Sequence, residues 1–106
     1  IETPRALDEA EGIAAVEGVD GLFIGPADLG LRLGLQEGGA SLEEAIARVA
    51  EAAKRHNQAW GIAGGGPEPW QRSRQMGAQM LIGAGDFALT GVLAEARKNF
   101  DEVLGE

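Results

Sequence analysis

The sequence contains no cysteine, and it has only one histidine. Without cysteine the chain has no disulfide framework, no thiolate metal site and no thiol nucleophile. Long apolar runs are absent too, since the longest cover a handful of residues and a transmembrane helix needs about 18 or more. No secretory signal pattern opens the chain. These absences predict a soluble protein of the cytoplasm that does not insert into a membrane.

Positive charge is scarce in this chain. There are 9 Lys and Arg residues against 17 Asp and Glu, which gives a formal net charge of -8. A polyphosphate would be repelled by this surface, and binding would gain little from counterion release. We therefore do not expect nucleic acid to be a ligand.

Glycine is abundant instead, with 17 residues, more than twice the usual share of about 7%. The glycines cluster between periodic segments, where they mark turns. The length of 106 residues suits one small domain. However, the opening residues Ile1 to Pro4 resemble the end of a strand followed by a helix start, so we expect the chain to be part of a larger domain.

Helical and strand patterns alternate along the whole chain. Apolar residues recur at helical spacing after Thr3-Pro4, after the capping box Ser41 to Glu44, and most clearly after Asp86. Short apolar runs ended by glycine indicate buried strands. The predicted helices run from Thr3 to Gly18, from Ser41 to about His56, from Pro67 or Pro69 to Met76, and from Asp86 onward; the predicted strands are Val19–Ile24, Ala59–Ala63 and Gln79–Ile82, and Gly30–Ala40 is predicted as a loop or one short turn.

This alternation predicts a parallel sheet with crossover helices, in the α/β class. Two architectures are compatible with it: a small open sheet, or half of an eight-stranded (β/α)8 TIM barrel of about 250 residues. The strand-like start at Ile1 favours the half-barrel.

Acidic residues follow several of the predicted strands, at the edge where parallel α/β folds carry their working residues. Glu2, Asp28 and Asp86 lie in these loops, and carboxylate oxygens suit a hard divalent cation. Each has a structural alternative. Glu2 could be a solvated loop acid, Asp28 the N-cap of a short turn, and Asp86 the N-cap of the last helix, which is the interpretation we favour for Asp86.

Other conspicuous residues have structural explanations. His56 lies at a helix C-terminus, where an imidazolium meets the negative end of the helix dipole. The segment Gly83–Ala88 has the form G-x-G-x-x-A, but no strand follows to carry a ribose-binding acid, which favours a tight strand-to-helix turn. Gly64–Gly66 is interpreted as a loop that passes close to a substrate, and Trp60 and Trp70 as packing between helices and sheet.

The run from Val16 to Leu29, VEGVDGLFIGPADL, resembles the signature of the HpcH/HpaI aldolase family, the metal-dependent class II pyruvate aldolases. Four further segments occur in the same order as in that family: Ile1-Glu2-Thr3 before this run, and Gly61-Ile62, Gly77-Ala78 and Gly83–Asp86 after it. The resemblance extends over essentially all 106 residues. It implies that residues 1–106 form the C-terminal half of one TIM-barrel domain, comprising strands five to eight and their helices.

The resemblance also implies a site. Glu2 and Asp28 match the two carboxylates that bind Mg²⁺, Mn²⁺ or Co²⁺ in the family, where the metal chelates a 2-oxo acid and stabilises its enolate. The backbone N–H groups of Ala27 and Asp28 match those that bind the substrate carboxylate. Ala63 matches an apolar residue against the pyruvate methyl, usually the larger Leu.

The implied reaction is a carbon–carbon lyase reaction that cleaves 4-hydroxy-2-oxo (2-keto-3-deoxy) acids to pyruvate and an aldehyde. The family's arginine and its histidine-containing base belong to the N-terminal half, so no catalytic residue is assigned in this half. Family members commonly form homo-oligomers, often hexamers. Two alternatives stay open: a C–C lyase like the citrate lyase β-subunit and malyl-CoA lyase, disfavoured by the turn at 25–28, and an inactive half-barrel that acts only in assembly.

Overall fold

A computed structural model describes residues 1–105, which contain three strands and six helices. The elements alternate much as the sequence predicts. The strands are β1 (Gly21–Ile24), β2 (Ala59–Ala63) and β3 (Met80–Ile82), and the helices are α1 (Pro4–Asp8), α2 (Ala10–Ala14), α3 (Pro26–Gly34), α4 (Leu42–Arg55), α5 (Pro67–Gln75) and α6 (Asp86–Leu104).

The three strands form a parallel sheet in the order β1-β2-β3. Strands that follow one another in this order, joined by right-handed crossovers, place their connecting helices on the same face. Leu22 and Ile24 of β1 and Trp60 and Ile62 of β2 are buried in the core on that face. In the helix layer, α4 packs against both of these strands.

The opposite face of the sheet is bare in the described chain. Phe23 pairs in register with Gly61, which pairs with Met80. The side chains of Phe23 and Met80 therefore lie on this face, together with that of Ile82. Phe23 is 36% exposed, Met80 56% and Ile82 44%. Parallel sheets are normally covered on both faces. This face therefore presents apolar side chains that suit the inner layer of a closed barrel.

Ile1 lies along the free edge of β1. Its N-terminal ammonium donates to the carbonyl of Phe23 at 2.6 Å, and its carbonyl accepts from the N–H of Gly25 at 3.1 Å. These two hydrogen bonds have the pattern by which one residue of a parallel strand pairs with the adjacent strand. The expected strand end at Ile1 thus lies on the side of β1 away from β2.

The predicted first helix is present but divided into α1 and α2. Thr3 is its N-cap, as predicted, because its hydroxyl accepts from the N–H of Ala6 at 3.0 Å. Glu9 separates the two halves, with φ -92° and ψ 6°. This ψ lies outside the helical range near about -42°, so the helix is interrupted at this residue. The prediction of one continuous helix to Gly18 is therefore wrong.

The prediction of a loop over Gly30–Ala40 is wrong for its first five residues, which belong to α3. Pro26 occupies the first helical position, where its missing N–H costs nothing. Leu29 and Leu33, one turn apart, are both buried in the core. Burying two leucines contributes about 3 kcal/mol or more, which outweighs about 1 kcal/mol for each glycine at positions 30 and 34.

The predicted capping box opens α4. The N–H of Glu44 donates to the Ser41 hydroxyl at 3.2 Å, and the Ser41 N–H donates to the Glu44 carboxylate at 2.7 Å. The hydrogen bond from the Ser41 backbone lowers the pKa of Glu44. The helix ends at Arg55 with His56 as its C-cap, which agrees with the predicted end at about His56.

The last helix, α6, is present, but its apolar stripe is not buried. None of its residues is buried, and Leu89, Val92, Leu93 and Phe100 are all more than 60% exposed. The described chain is accordingly elongated, at 58 × 31 × 24 Å. The helix after β3 thus does not cover the sheet that holds its own strand.

The predicted N-cap role of Asp86 is also wrong. Gly85 is the N-cap of α6, and Asp86 is the first helical residue. The Asp86 carboxylate accepts from the N–H of Phe87, the second helical residue, at 3.1 Å, but it does so from the first helical position and not from the N-cap position. Among residues 1–105, no helix is both long and apolar enough to span a bilayer.

The two faces of α3 provide a test of this architecture. Leu29 is 0% exposed and Leu31 is 68% exposed on the same helix. We expect Leu29→Ala to lower the free energy of unfolding by about 2 to 5 kcal/mol. The matched Leu31→Ala control should change it by less than about 0.5 kcal/mol. Denaturant unfolding of the full-length protein measures both, and equal losses would contradict the burial of Leu29 and the exposure of Leu31.

Candidate active site

All of the candidate substrate and metal residues lie at one edge of the structure, where the parallel strands end. Glu2 precedes α1, Ala27 and Asp28 lie in the first turn of α3 just after β1, and Ala63 is the last residue of β2. Because parallel strands direct their carboxyl ends to the same edge, residues far apart in sequence are brought together here. None of these residues is fully buried, so all are accessible to a small molecule.

Glu2 lies directly against Gly25. A Cβ added at Gly25 would stand 2.8 Å from both Cγ and Oε1 of Glu2. This spacing is shorter than Cβ contacts found in proteins, so only glycine permits the side chain of Glu2 to take this position. Gly25 thus provides a cradle for the Glu2 carboxylate at the end of β1.

Gly25 is also the N-cap of α3, and it has no side chain to cap the helix. Pro26 has no N–H, so the first free donors of α3 are the backbone N–H groups of Ala27 and Asp28. These amides have no acceptor within the helix, and the positive end of the helix dipole lies beside them. The first turn of α3 therefore offers two donors suited to a carboxylate.

Asp28 is the third residue of α3, one turn from the Gly25 cradle. The alternative interpretation of Asp28 as an N-cap is wrong, because Gly25 holds that position and no side-chain cap hydrogen bond is formed. The carboxylate of Asp28 is exposed. The structure therefore places Glu2 against Gly25, and Asp28 three residues further along the chain in the first turn of α3.

Within residues 1–105, no three His, Cys, Asp or Glu side chains cluster as metal ligands. Glu2 and Asp28 thus remain the two candidate ligands from this part of the chain. Their donor atoms are oxygens, the class preferred by Mg²⁺ and Mn²⁺.

Ala63 ends β2 beside a cleft between α4 and α5. The cleft has a volume of about 790 Å³ and is lined mainly by apolar side chains, among them Ile46, Ile62 and Trp70. Ala27 and Ala63 line its end at the strand edge, while Glu2 and Asp28 lie outside it.

Sequence reasoning interpreted Trp70 as packing between helix and sheet, and it missed the polar contact of this residue. Its indole N–H donates to the carbonyl of Gly64 at 2.7 Å, and its ring lies against Gly83. A tryptophan four positions after a glycine triplet is the only sequence signal of this contact. Trp60, by comparison, is buried in the core as predicted.

His56 takes no part in this edge. It is the C-cap of α4, and its ring nitrogen Nε2 lies 2.8 Å from the Glu11 carboxylate. The imidazole therefore joins α4 to α2 on the outside of the helix layer, which confirms its structural interpretation.

Comparison with known proteins identifies the family. A family model described as HpcH/HpaI aldolase/citrate lyase matches residues 1–89. The hydroxypyruvate/pyruvate aldolase of Delftia acidovorans is 40% identical over 92 residues, covering 84% of this chain and 34% of that protein. The 4-hydroxy-2-oxovalerate aldolase of Novosphingobium aromaticivorans is 38% identical over 92 residues, covering 87% and 33%.

Solved structures agree. An HpcH/HpaI aldolase from Desulfitobacterium hafniense superposes with a TM-score of 0.79 at 32% identity, covering 96% of this chain and 41% of that one. The chain belongs to the HpcH/HpaI aldolase/citrate lyase family, which confirms the resemblance. It spans between a third and about two fifths of the length of these relatives.

The Gly25 cradle leads to a glycine-specific prediction. We expect Gly25→Ala to displace the Glu2 carboxylate, because the new methyl group would occupy its place, while the free energy of unfolding falls by no more than about 1 kcal/mol. Gly34→Ala is the matched control, because nothing lies within 4 Å of a Cβ there. Crystal structures and thermal unfolding of both variants of the full-length protein measure these effects. An unmoved Glu2 carboxylate in Gly25→Ala would disprove the cradle.

Proposed function

We propose that the protein carrying this chain is a divalent-metal-dependent aldolase that cleaves 4-hydroxy-2-oxo (2-keto-3-deoxy) acids to pyruvate and an aldehyde. Membership of the family and the aldolase names of its relatives support the reaction class. The observation that carries the proposal is the placement of Glu2 on Gly25, beside the helix turn that holds Asp28. The absence of cysteine fits a reducing cytoplasm, where we place the protein.

The one-sided helix layer supports the architecture of a C-terminal half-barrel. The sequential strand order and the bare face with Phe23, Met80 and Ile82 are what four consecutive strands of a (β/α)8 barrel would show, with Ile1 at the end of the fifth strand. The bare face would then be the barrel interior. Opposite strands, from the N-terminal half, would cover it.

Glu2 and Asp28 fit a divalent cation, since both supply anionic oxygens at one turn and Gly25 leaves room for the Glu2 carboxylate. When bound, the cation supplies Lewis-acid polarisation of the ketone and carboxylate oxygens of a 2-oxo acid. We therefore assign these two side chains as the ligands from this half. The choice among Mg²⁺, Mn²⁺ and Co²⁺ depends on the completed coordination shell.

The remaining residues of this edge bind and orient the substrate. The N–H groups of Ala27 and Asp28 donate to the carboxylate of the 2-oxo acid, which the dipole of α3 also attracts. Ala63 forms an apolar wall against the methyl group of pyruvate. The histidine-containing base that takes the proton from the 4-hydroxyl comes from the N-terminal half. The arginine that stabilises the enolate charge comes from the same half.

The proposal is tested by exchange of the pyruvate methyl protons with deuterated solvent, in the full-length protein supplied with Mg²⁺ or Mn²⁺. We expect exchange that requires the metal. Glu2→Gln or Asp28→Asn should slow it by on the order of 100-fold, because each removes one anionic ligand. Calorimetric titration with Mn²⁺ should show a parallel loss of affinity.

Asp20→Asn is the matched control. Asp20 is an exposed acid that precedes β1, at the opposite end of the strand from the site. Its substitution removes the same charge and should leave both exchange and Mn²⁺ affinity unchanged. Exchange that needs no metal, or that survives both site substitutions, rules out the proposed chelation.

We extend the proposal to a homo-oligomer, for which the family resemblance favours a hexamer. The observation that supports it is α6, whose apolar stripe is exposed and does not pack on the sheet that contains β3. A helix of a single barrel would pack back on its own strand. Because α6 does not, a second copy of the protein is the occupant that we propose for this face. Closed symmetric contacts of this kind are common in soluble enzymes.

Leu93 and Lys98 lie on opposite sides of α6 and provide the test. We expect Leu93→Asp to reduce the molar mass in light scattering, because it places a charge in the apolar contact. Lys98→Asp adds the same side chain on the polar side and should leave the mass unchanged. A monomeric full-length protein whose α6 amides are protected from hydrogen exchange would show instead that α6 is covered by its own chain.

A further inference from the structure

The turn after β2 consists of three consecutive glycines, Gly64–Gly66, directly after Ala63. Gly64 has φ +72° and Gly65 has φ +94°, in the left-handed region that glycine adopts most readily. A glycine triplet is also the segment that loses most conformational freedom when ordered. The position of Ala63 at the site thus depends on what holds this turn.

Two hydrogen bonds hold Gly64 itself. Its N–H donates to the carbonyl of Ile82 at 2.8 Å, which extends the ladder between β2 and β3. Its carbonyl accepts from the indole N–H of Trp70 at 2.7 Å. The first bond is ordinary sheet pairing, whereas the second comes from a side chain of α5.

The ring of Trp70 also reaches the next turn. A Cβ at Gly83, the residue after β3, would stand 2.6 Å from both Cζ2 and Cη2 of the indole. Gly83 therefore has to be glycine for the ring to lie where it does. Trp70 is itself fixed at the start of α5, where its N–H donates to the carbonyl of Gly66 at 3.0 Å. One side chain thus joins the turn after β2 to the turn after β3.

We propose that Trp70 is a positioning residue for the substrate pocket. It acts through the Gly64 carbonyl and holds Ala63, the apolar wall, at a set distance from the 2-oxo acid. This inference rests on the proposed function of the site. Loss of the indole N–H would loosen the wall in both the ground state and the transition state, which raises KM and leaves kcat nearly unchanged.

Trp60 is a matched control within the same chain. It too donates its indole N–H to a backbone carbonyl, that of Met76, at 3.4 Å. Trp60 is buried in the core, and Met76 is the C-cap of α5, so this contact lies away from the strand edge that carries Ala63. A merely structural role of an indole N–H would show in Trp60 and Trp70 alike.

The experiment compares Trp70→Phe, Gly83→Ala and Trp60→Phe in the full-length protein. Metal-dependent exchange of the pyruvate methyl protons gives KM and kcat, and thermal unfolding gives stability. We expect Trp70→Phe to raise KM by about three- to tenfold, as for the loss of one hydrogen bond, with kcat changed by less than about twofold. Gly83→Ala, which displaces the ring without removing its donor, should raise KM in the same direction. Trp60→Phe should lower the melting temperature and leave KM unchanged.

The outcomes separate the two proposals. If the unsubstituted protein shows no metal-dependent exchange, the proposed function itself fails. If it does exchange and Trp70→Phe leaves KM unchanged, or changes it no more than Trp60→Phe, the positioning role is overturned while the proposed function stands. Should Trp70→Phe fail to fold, Gly83→Ala decides alone, because an unchanged KM with a displaced indole also overturns the inference.

Discussion

Parallel pairing in the sequential order β1-β2-β3 is the constraint on which the rest of the molecule depends. Right-handed crossovers then place the helices on one face and leave the other face bare. The same pairing directs every strand's carboxyl end to one edge, so Ala27, Asp28 and Ala63 gather there. Ile1, hydrogen bonded along the free edge of β1, brings Glu2 to the same place.

At that edge, glycine residues determine the geometry because they have no side chains. Gly25 admits the Glu2 carboxylate and leaves the N-terminus of α3 uncapped, and Gly83 admits the ring of Trp70. Small residues therefore allow larger groups and backbone amides to approach one another closely. The apolar stripe of α6 and the uncovered face of the sheet, by contrast, expose large apolar side chains within residues 1–105.

Much of this could be predicted from sequence because the signals are local. The capping box at Ser41, the Thr3 cap and the glycine-terminated strands depend on neighbouring residues alone, and each is present. One error occurs where burial in the core outweighs local preference, and another where the backbone of a single residue interrupts a helical pattern. Burial of Leu29 and Leu33 extends α3 through two glycines, and the turn at Glu9 divides a pattern that reads as one helix.

The sequence by itself determined the α/β alternation and the family resemblance, from which Glu2 and Asp28 are proposed as metal ligands, because composition, periodicity and motif are properties of adjacent residues. Only the tertiary structure decided that Glu2 rests on Gly25, that the amides of Ala27 and Asp28 begin a nine-residue helix, and that Trp70 holds Gly64. Those contacts join separate segments of the chain, and their distances exist only once the parallel sheet has brought the strand ends together.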